Sequence, residues 1–157
     1  MKLSFILLLA VCGFACPAFS QDDKAAVTDE ELMKYAEVMD SVNEMTASVR
    51  IMLADMVKEN DSISAARYNE LSKIANDDAK LAEAKATPEE IAFVKRVAEK
   101  KNEETAKINE TYQKMAKEYV TVPVFNKVKK ALASDDSLKT RYETLMVELG
   151  KDDPSGD

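Results

Sequence analysis

No glycine occurs anywhere in residues 21–149; the three in the chain are Gly13, Gly150 and Gly156. Two-residue β-hairpins depend on Asn-Gly or Asp-Gly, because their turn residues sit at positive φ. Loops that cradle phosphate need glycine so that backbone amides can close on the ligand. Neither device can be built in this stretch. Proline is also missing from residues 21–87. A long backbone without glycine or proline favours helix, so the expected fold class is all-α.

The apolar pattern agrees. Leu32, Tyr35, Met39, Val42, Thr46, Val49, Leu53 and Met56 recur at alternating steps of three and four, a heptad seam that Val38, Met45 and Met52 widen on one side. Thr28-Asp29-Glu30-Glu31 has the form of a capping box, with acids where the helix dipole favours them. One long helix is expected over about 29–59. Asn60 to Ser64 breaks it, and Ser64 can cap a shorter helix carrying Tyr68, Leu71, Ile74 and Ala75. Asn76-Asp77-Asp78 signals a further cap, followed by Leu81.

The pattern then restarts. Thr87-Pro88-Glu89-Glu90 repeats the first box 59 residues later, and residues 28–59 and 87–118 are identical at eleven of 32 positions. Ile91, Val94, Ala98, Thr105, Ile108, Tyr112 and Met115 occupy the shifted seam. Thr121 to Asn126 mirrors Ser64 to Asn69, with Thr121 at the cap, and Asp135-Asp136 mirrors Asp77-Asp78. A last helix with Leu138, Tyr142, Leu145, Met146 and Leu149 ends at Gly150, a C-cap residue. Fixed-offset similarity points to duplicated units. The expected organisation is a polar linker at 21–27, helical repeat one at 28–86, helical repeat two at 87–149, and a polar tail at 150–157. The two repeats would form an antiparallel helical bundle with the short helices packed on its ends and sides.

Charge separates the two long helices. Residues 28–59 carry eight acids and three bases, whereas residues 87–118 carry seven of each. Lys101 and Glu104 stand where the first seam has Val42 and Met45, so the first helix should lie more centrally. Pairing an acidic helix with a lysine-rich one avoids like-charge repulsion.

The first twenty residues form a secretory signal peptide: Lys2, an apolar run from Phe5 to Ala15, and a small-x-small site at Ala18-Phe19-Ser20. The run is short for a membrane span. Cutting after Ser20 would remove Cys12 and Cys16 and leave 21 bases against 29 acids, −8 over 137 residues. The expected location is periplasmic or secreted. In the alternative, Gly13-Phe14-Ala15-Cys16 serves as a lipoprotein box and Cys16 anchors the domain in a membrane. Membrane contact by the mature domain is otherwise disfavoured, since its charge repels anionic lipid. Nucleic acid is disfavoured too, for want of a basic patch.

Few residues offer chemistry. The chain has no His, and the mature chain would have no Cys, which removes His-based triads and the usual zinc ligands. The pairs Asp22-Asp23, Asp77-Asp78, Asp135-Asp136 and Asp152-Asp153 lack the alternating acids and glycine of a calcium loop, and the two internal pairs stand at helix caps. No catalytic residue, metal site or cofactor is expected. Seven Met survive cleavage, and their seam spacing favours core packing over a partner groove. Asn60-Asp61-Ser62 and Asn109-Glu110-Thr111 match the glycosylation pattern. Asn43, Glu44 and Thr46 recur as Asn102, Glu103 and Thr105, a candidate interhelical polar layer that would set register.

Several of these segments together resemble a known family. The run from Phe125-Asn126-Lys127-Val128 through Asp135-Asp136-Ser137-Leu138 to Arg141, with a start like Glu31-Leu32 to Tyr35-Ala36, resembles the bacterial domain-of-unknown-function 4168 family. The resemblance covers about residues 28–149 as two tandem units, with Pro123 atypical. It implies an exported all-α bacterial protein and carries no activity or functional residues with it. The expected function is therefore a non-enzymatic helical interaction module of the cell envelope, whose partner is another envelope protein or the chain itself. The alternative is a periplasmic holdase-like chaperone presenting a Met-rich apolar groove. An enzyme using carboxylate chemistry comes third.

Overall fold

The structure is a computed structural model that describes residues 26–151. Of these, 82% are helical and none lies in a strand, as the missing turn glycines require. The expected signal peptide, with Cys12 and Cys16, lies outside the described residues.

Two long helices dominate. α1 spans Asp29–Lys58 and α4 spans Pro88–Lys114. Each opens on a complete capping box. The Thr28 hydroxyl accepts from Glu31 N–H at 3.2 Å while Glu31 Oε2 accepts from Thr28 N–H at 2.9 Å, and Thr87 and Glu90 make the same two bonds at 3.2 and 2.9 Å. Such a cap contributes about 1 kcal/mol. Ser64 caps α2 (Ala65–Leu71), which runs into a 3-10 turn at Ser72–Ile74. Asp77 caps α3 (Asp78–Glu83) and Asp135 caps α6 (Asp136–Leu149), with near-identical backbone angles of φ −124°, ψ 93° and φ −123°, ψ 101°. Between them, α4 ends in a π-helical turn at Met115–Tyr119, and α5 follows at Val122–Leu132.

The core forms two clusters. In the first, Leu32, Tyr35 and Val38 of α1 meet Val120, Phe125, Val128 and Leu138, with Tyr112 and Met115 from the end of α4 packed alongside. Tyr35 lies 4.7 Å from the Phe125 ring, and Tyr112 meets that ring edge-on at 5.6 Å. In the second, Phe93, Val94 and Val97 of α4 meet Ile63, Leu71, Ala75 and Leu81, with Leu53, Met56 and Val57 from the end of α1. The start of α1 thus shares a cluster with the end of α4, and its end with the start of α4. The long helices are antiparallel, with α5 and α6 at one end of the pair and α2 and α3 at the other. α1 touches α2, α4, α5, α6 and the π turn, which gives it the central position its seam predicts.

Between the clusters the pair narrows to two helices. Val42, Met45, Val49 and Met52 of α1 are only half-buried, and neither core cluster includes them. On α4, burial favours Phe93 and Val97 over the expected Ile91 and Ala98, because α2, α3 and the 3-10 turn press on that side.

One local expectation needs correction. Thr121 occupies the cap position of α5 but makes no capping bond and sits at φ 75°, ψ 141°. A cap's side-chain oxygen accepts from the second or third helical amide; here the second residue, Pro123, has no N–H, and Thr121 makes no bond to the third, Val124. Gly150 is the C-cap of α6, as expected, at a right-handed φ of −66°, its N–H bonded to Met146 O. Within α4, Lys100 and Lys107 both pair with Glu103 and Glu104. Among the described residues, no ion pair joins α4 to α1.

Glycine is replaced at one turn where it would normally serve. α3 closes with Ala86 N–H on Leu81 O at 3.0 Å and Lys85 N–H on Ala82 O at 2.9 Å, the double bond pattern of a Schellman motif. Its left-handed residue is Lys85, at φ 51°. A side chain there costs about 1 kcal/mol relative to glycine. Lys85→Gly is therefore expected to raise stability by about 1 kcal/mol, as measured by urea unfolding.

Candidate interaction surface

Every buried residue among those described is apolar. The polar chemistry of the chain lies at its surface and falls into three places.

Two ionic clasps hold the ends of the long helices. Glu31 accepts from Lys127 Nζ of α5 at 2.9 and 2.7 Å through its two oxygens, while its capping bond to Thr28 stays in place. Glu90 accepts from Arg67 Nε of α2 at 3.1 Å and from a terminal guanidinium nitrogen at 3.3 Å. Arg67 also binds Glu70 and the Ala84 carbonyl, both at 2.9 Å. Arg141 of α6 pairs with Asp29 beside the first clasp. The capping-box glutamates were legible in the sequence. Their partners were not, since they lie 96 and 23 residues away.

Lys127 and the Thr28 amide hold the Glu31 carboxyl below the ordinary glutamate value of 4.5; Arg67 and the Thr87 amide do the same for Glu90. A group whose folded value is lowered adds stability above its unfolded value and loses it as pH falls through the folded one. The melting temperature is thus expected to drop as pH goes below about 4.5. Glu90→Gln keeps a capping side chain but loses the charge, so it should cost about 1 kcal/mol at pH 7 and reduce that acid-side drop. Thermal melts at pH 7 and pH 3 measure both.

At the π turn, the exposed Tyr119 hydroxyl donates to Glu37 at 2.5 Å, and Lys34 Nζ lies 5.9 Å from its ring centre. The Glu37 carboxylate raises the phenol value above its usual range, so the tyrosine stays protonated. No sequence motif marks this contact.

The six residues of the expected polar layer do not form one. Thr46 is exposed and donates to Val42 O of its own helix at 2.7 Å. Glu103 pairs with Lys100 and Lys107. Asn43, Asn102 and Thr105 are exposed, and Glu44 is half-exposed; none of the six bonds across to the other long helix. The seam has rotated so that its apolar positions face α4, which turns these residues outward. At the acidic pairs, Asp77 and Asp135 accept from the amides of Lys80 and Leu138 as caps, and Asp78 pairs with Lys95. Asp22-Asp23 and Asp152-Asp153 lie outside the described residues. Among the described residues no three His, Cys, Asp or Glu converge on one metal position, and no helix is long and apolar enough to cross a membrane. Asn60 Oδ1 is engaged by Ser62 N–H at 2.9 Å, and Asn109 lies within α4.

The remaining feature is the open side of α1 near its end, where Ile51 is 50% exposed. Met33, five helical turns earlier on the same side, lines a groove with Arg141, Thr144 and Leu145 of α6. Beside Ile51, the half-buried Met52 and Met56 line a shallow groove with Ser48, Asp55 and Glu59 on its rim. The surface is apolar, thioether-rich and edged with acids. It can bind an apolar side chain, and its charge favours a neighbour carrying Lys or Arg. No family model, curated protein or solved structure matches this chain.

Proposed function

We propose that the chain is an exported, non-enzymatic helical interaction module of a bacterial cell envelope, made of two tandem units. The observation that carries this reading is the uncovered apolar strip on α1, where Ile51, Met52 and Met56 sit between acids while both ends of the bundle are closed by short helices. The tandem arrangement is supported by the matched capping boxes at Thr28 and Thr87 and by the matched caps at Asp77 and Asp135. Export rests on the sequence of residues 1–20 and on the resemblance to the domain-of-unknown-function 4168 family; lipidation at Cys16 is the variant that would tether the module to a membrane.

Chemical crosslinking in the producing cell tests the reading. A defined envelope protein should be recovered with the chain, and Ile51→Asp should abolish the recovery while leaving the melting temperature within about 1 °C, because an exposed site contributes little to stability. Recovery of the chain alone would replace a foreign partner with self-association. The holdase reading is favoured by Met45, Met52 and Met56, which share one edge of α1. It requires suppression of client aggregation at ratios no higher than equimolar, and no suppression would remove it.

A further inference from the structure

From the geometry of the joint between α4 and α5 we infer that α5 and α6 form a strap, which opens as one unit about Thr121 and uncovers the apolar start of α1. Thr121 is at φ 75°, ψ 141°, a region that only glycine enters freely and that is a pronounced outlier for a β-branched residue. It makes no capping bond. It follows directly on the π-helical turn Met115–Tyr119, a local departure from α geometry, and Pro123 two residues later prevents α4 from running on through the joint as one helix. The backbone is therefore strained at the single point that connects the strap to the long pair.

The strap's attachments fit the same motion. α5 and α6 contact each other and α1, α5 also touches the π turn and meets Tyr112 at the end of α4 through Phe125, and neither makes substantial contact with α2 or α3. They hold α1 through Phe125, Val128 and Leu138, reinforced by the surface pairs Lys127–Glu31 and Arg141–Asp29. The second cluster, built from α2, α3, the start of α4 and the end of α1, shares no buried residue with this one. Opening at Thr121 would leave that cluster whole and expose Leu32, Tyr35 and Val38, a larger apolar face than any the closed form presents. Because opening lets Thr121 relax to an ordinary backbone conformation, the strain lowers the cost of opening. Regions that open locally are those with few stabilising contacts to the rest of the fold.

Amide hydrogen exchange on the intact chain, followed by mass spectrometry, tests the inference without reference to any partner. Amides in 122–149 should exchange together and at least about 10-fold faster than those in 88–97. Thr121→Gly removes the strain and should slow exchange across 122–149 by about 5- to 30-fold. Val94→Ala, in the other cluster, should speed exchange in 65–71 and 88–97 and leave 122–149 unchanged. Two results would overturn the strap: exchange in 122–149 that rises in step with Val94→Ala, meaning that it opens only when everything unfolds, or exchange there that Thr121→Gly does not alter.

Discussion

Expressed as separate chains, residues 26–86 and residues 87–151 should each fail to melt cooperatively, and mixing them should restore helicity and a single transition. Neither core cluster belongs to one half of the chain. The first takes Leu32, Tyr35 and Val38 from the first half and Phe125, Val128 and Leu138 from the second. The second takes Ile63, Leu71 and Leu81 from the first half and Phe93, Val94 and Val97 from the second. A separated half keeps its capping boxes and its heptad seam, but it loses the opposing wall of both clusters. Helices draw most of their stability from such packing rather than from propensity. Circular dichroism and size-exclusion chromatography of each fragment and of the mixture measure the effect. A cooperative transition in either fragment alone, at the concentration where it is monomeric, would contradict the intertwined core.

Phe125→Ala should be the most damaging single substitution, costing about 3–5 kcal/mol in urea unfolding. The ring is 7% exposed, stacks at a tilt on Tyr35 and receives the edge of Tyr112, so it joins α1, α4 and α5 at one point. Its loss leaves a cavity lined by two other rings that cannot easily close. Small domains have about 5–15 kcal/mol in total, so a large share of stability goes with it. Val147→Ala, at a site 62% exposed, supplies the contrast and should stay within about 0.5 kcal/mol of the parent.

Much of this architecture was legible in local sequence signals. The two capping boxes, the Ser64 cap, the Asp77 and Asp135 caps and the extent of α1 follow from residues within one helical turn of each other, and local bonds decide them. Which side of each seam would be most buried did not follow. Helical periodicity defines an apolar face but not the third helix that presses on it, and it is α2 and α3 that drive Phe93 and Val97 inward past Ile91 and Ala98. The same limit explains the expected polar layer. Asn43, Thr46, Asn102 and Thr105 recur at the right offset, yet a rotation of less than one residue position turns such groups from interface to solvent. Lys85 and Thr121 were hidden for the opposite reason. Both take positive φ, which sequence rules assign to glycine, so a stretch without glycine gives no warning of where its backbone bends that way. The uncovered strip on α1 was partly visible as a cluster of methionines. Its exposure depends on where the short helices stop, and that is a property of the assembled bundle.

A photo-crosslinking amino acid placed at Ile51, and in a second protein at the outward-facing Ala106 of α4, tests the interaction surface most directly in the producing cell. One discrete adduct with another envelope protein is expected from position 51 and none from position 106. Equal labelling from both positions, or no adduct from position 51, would contradict it.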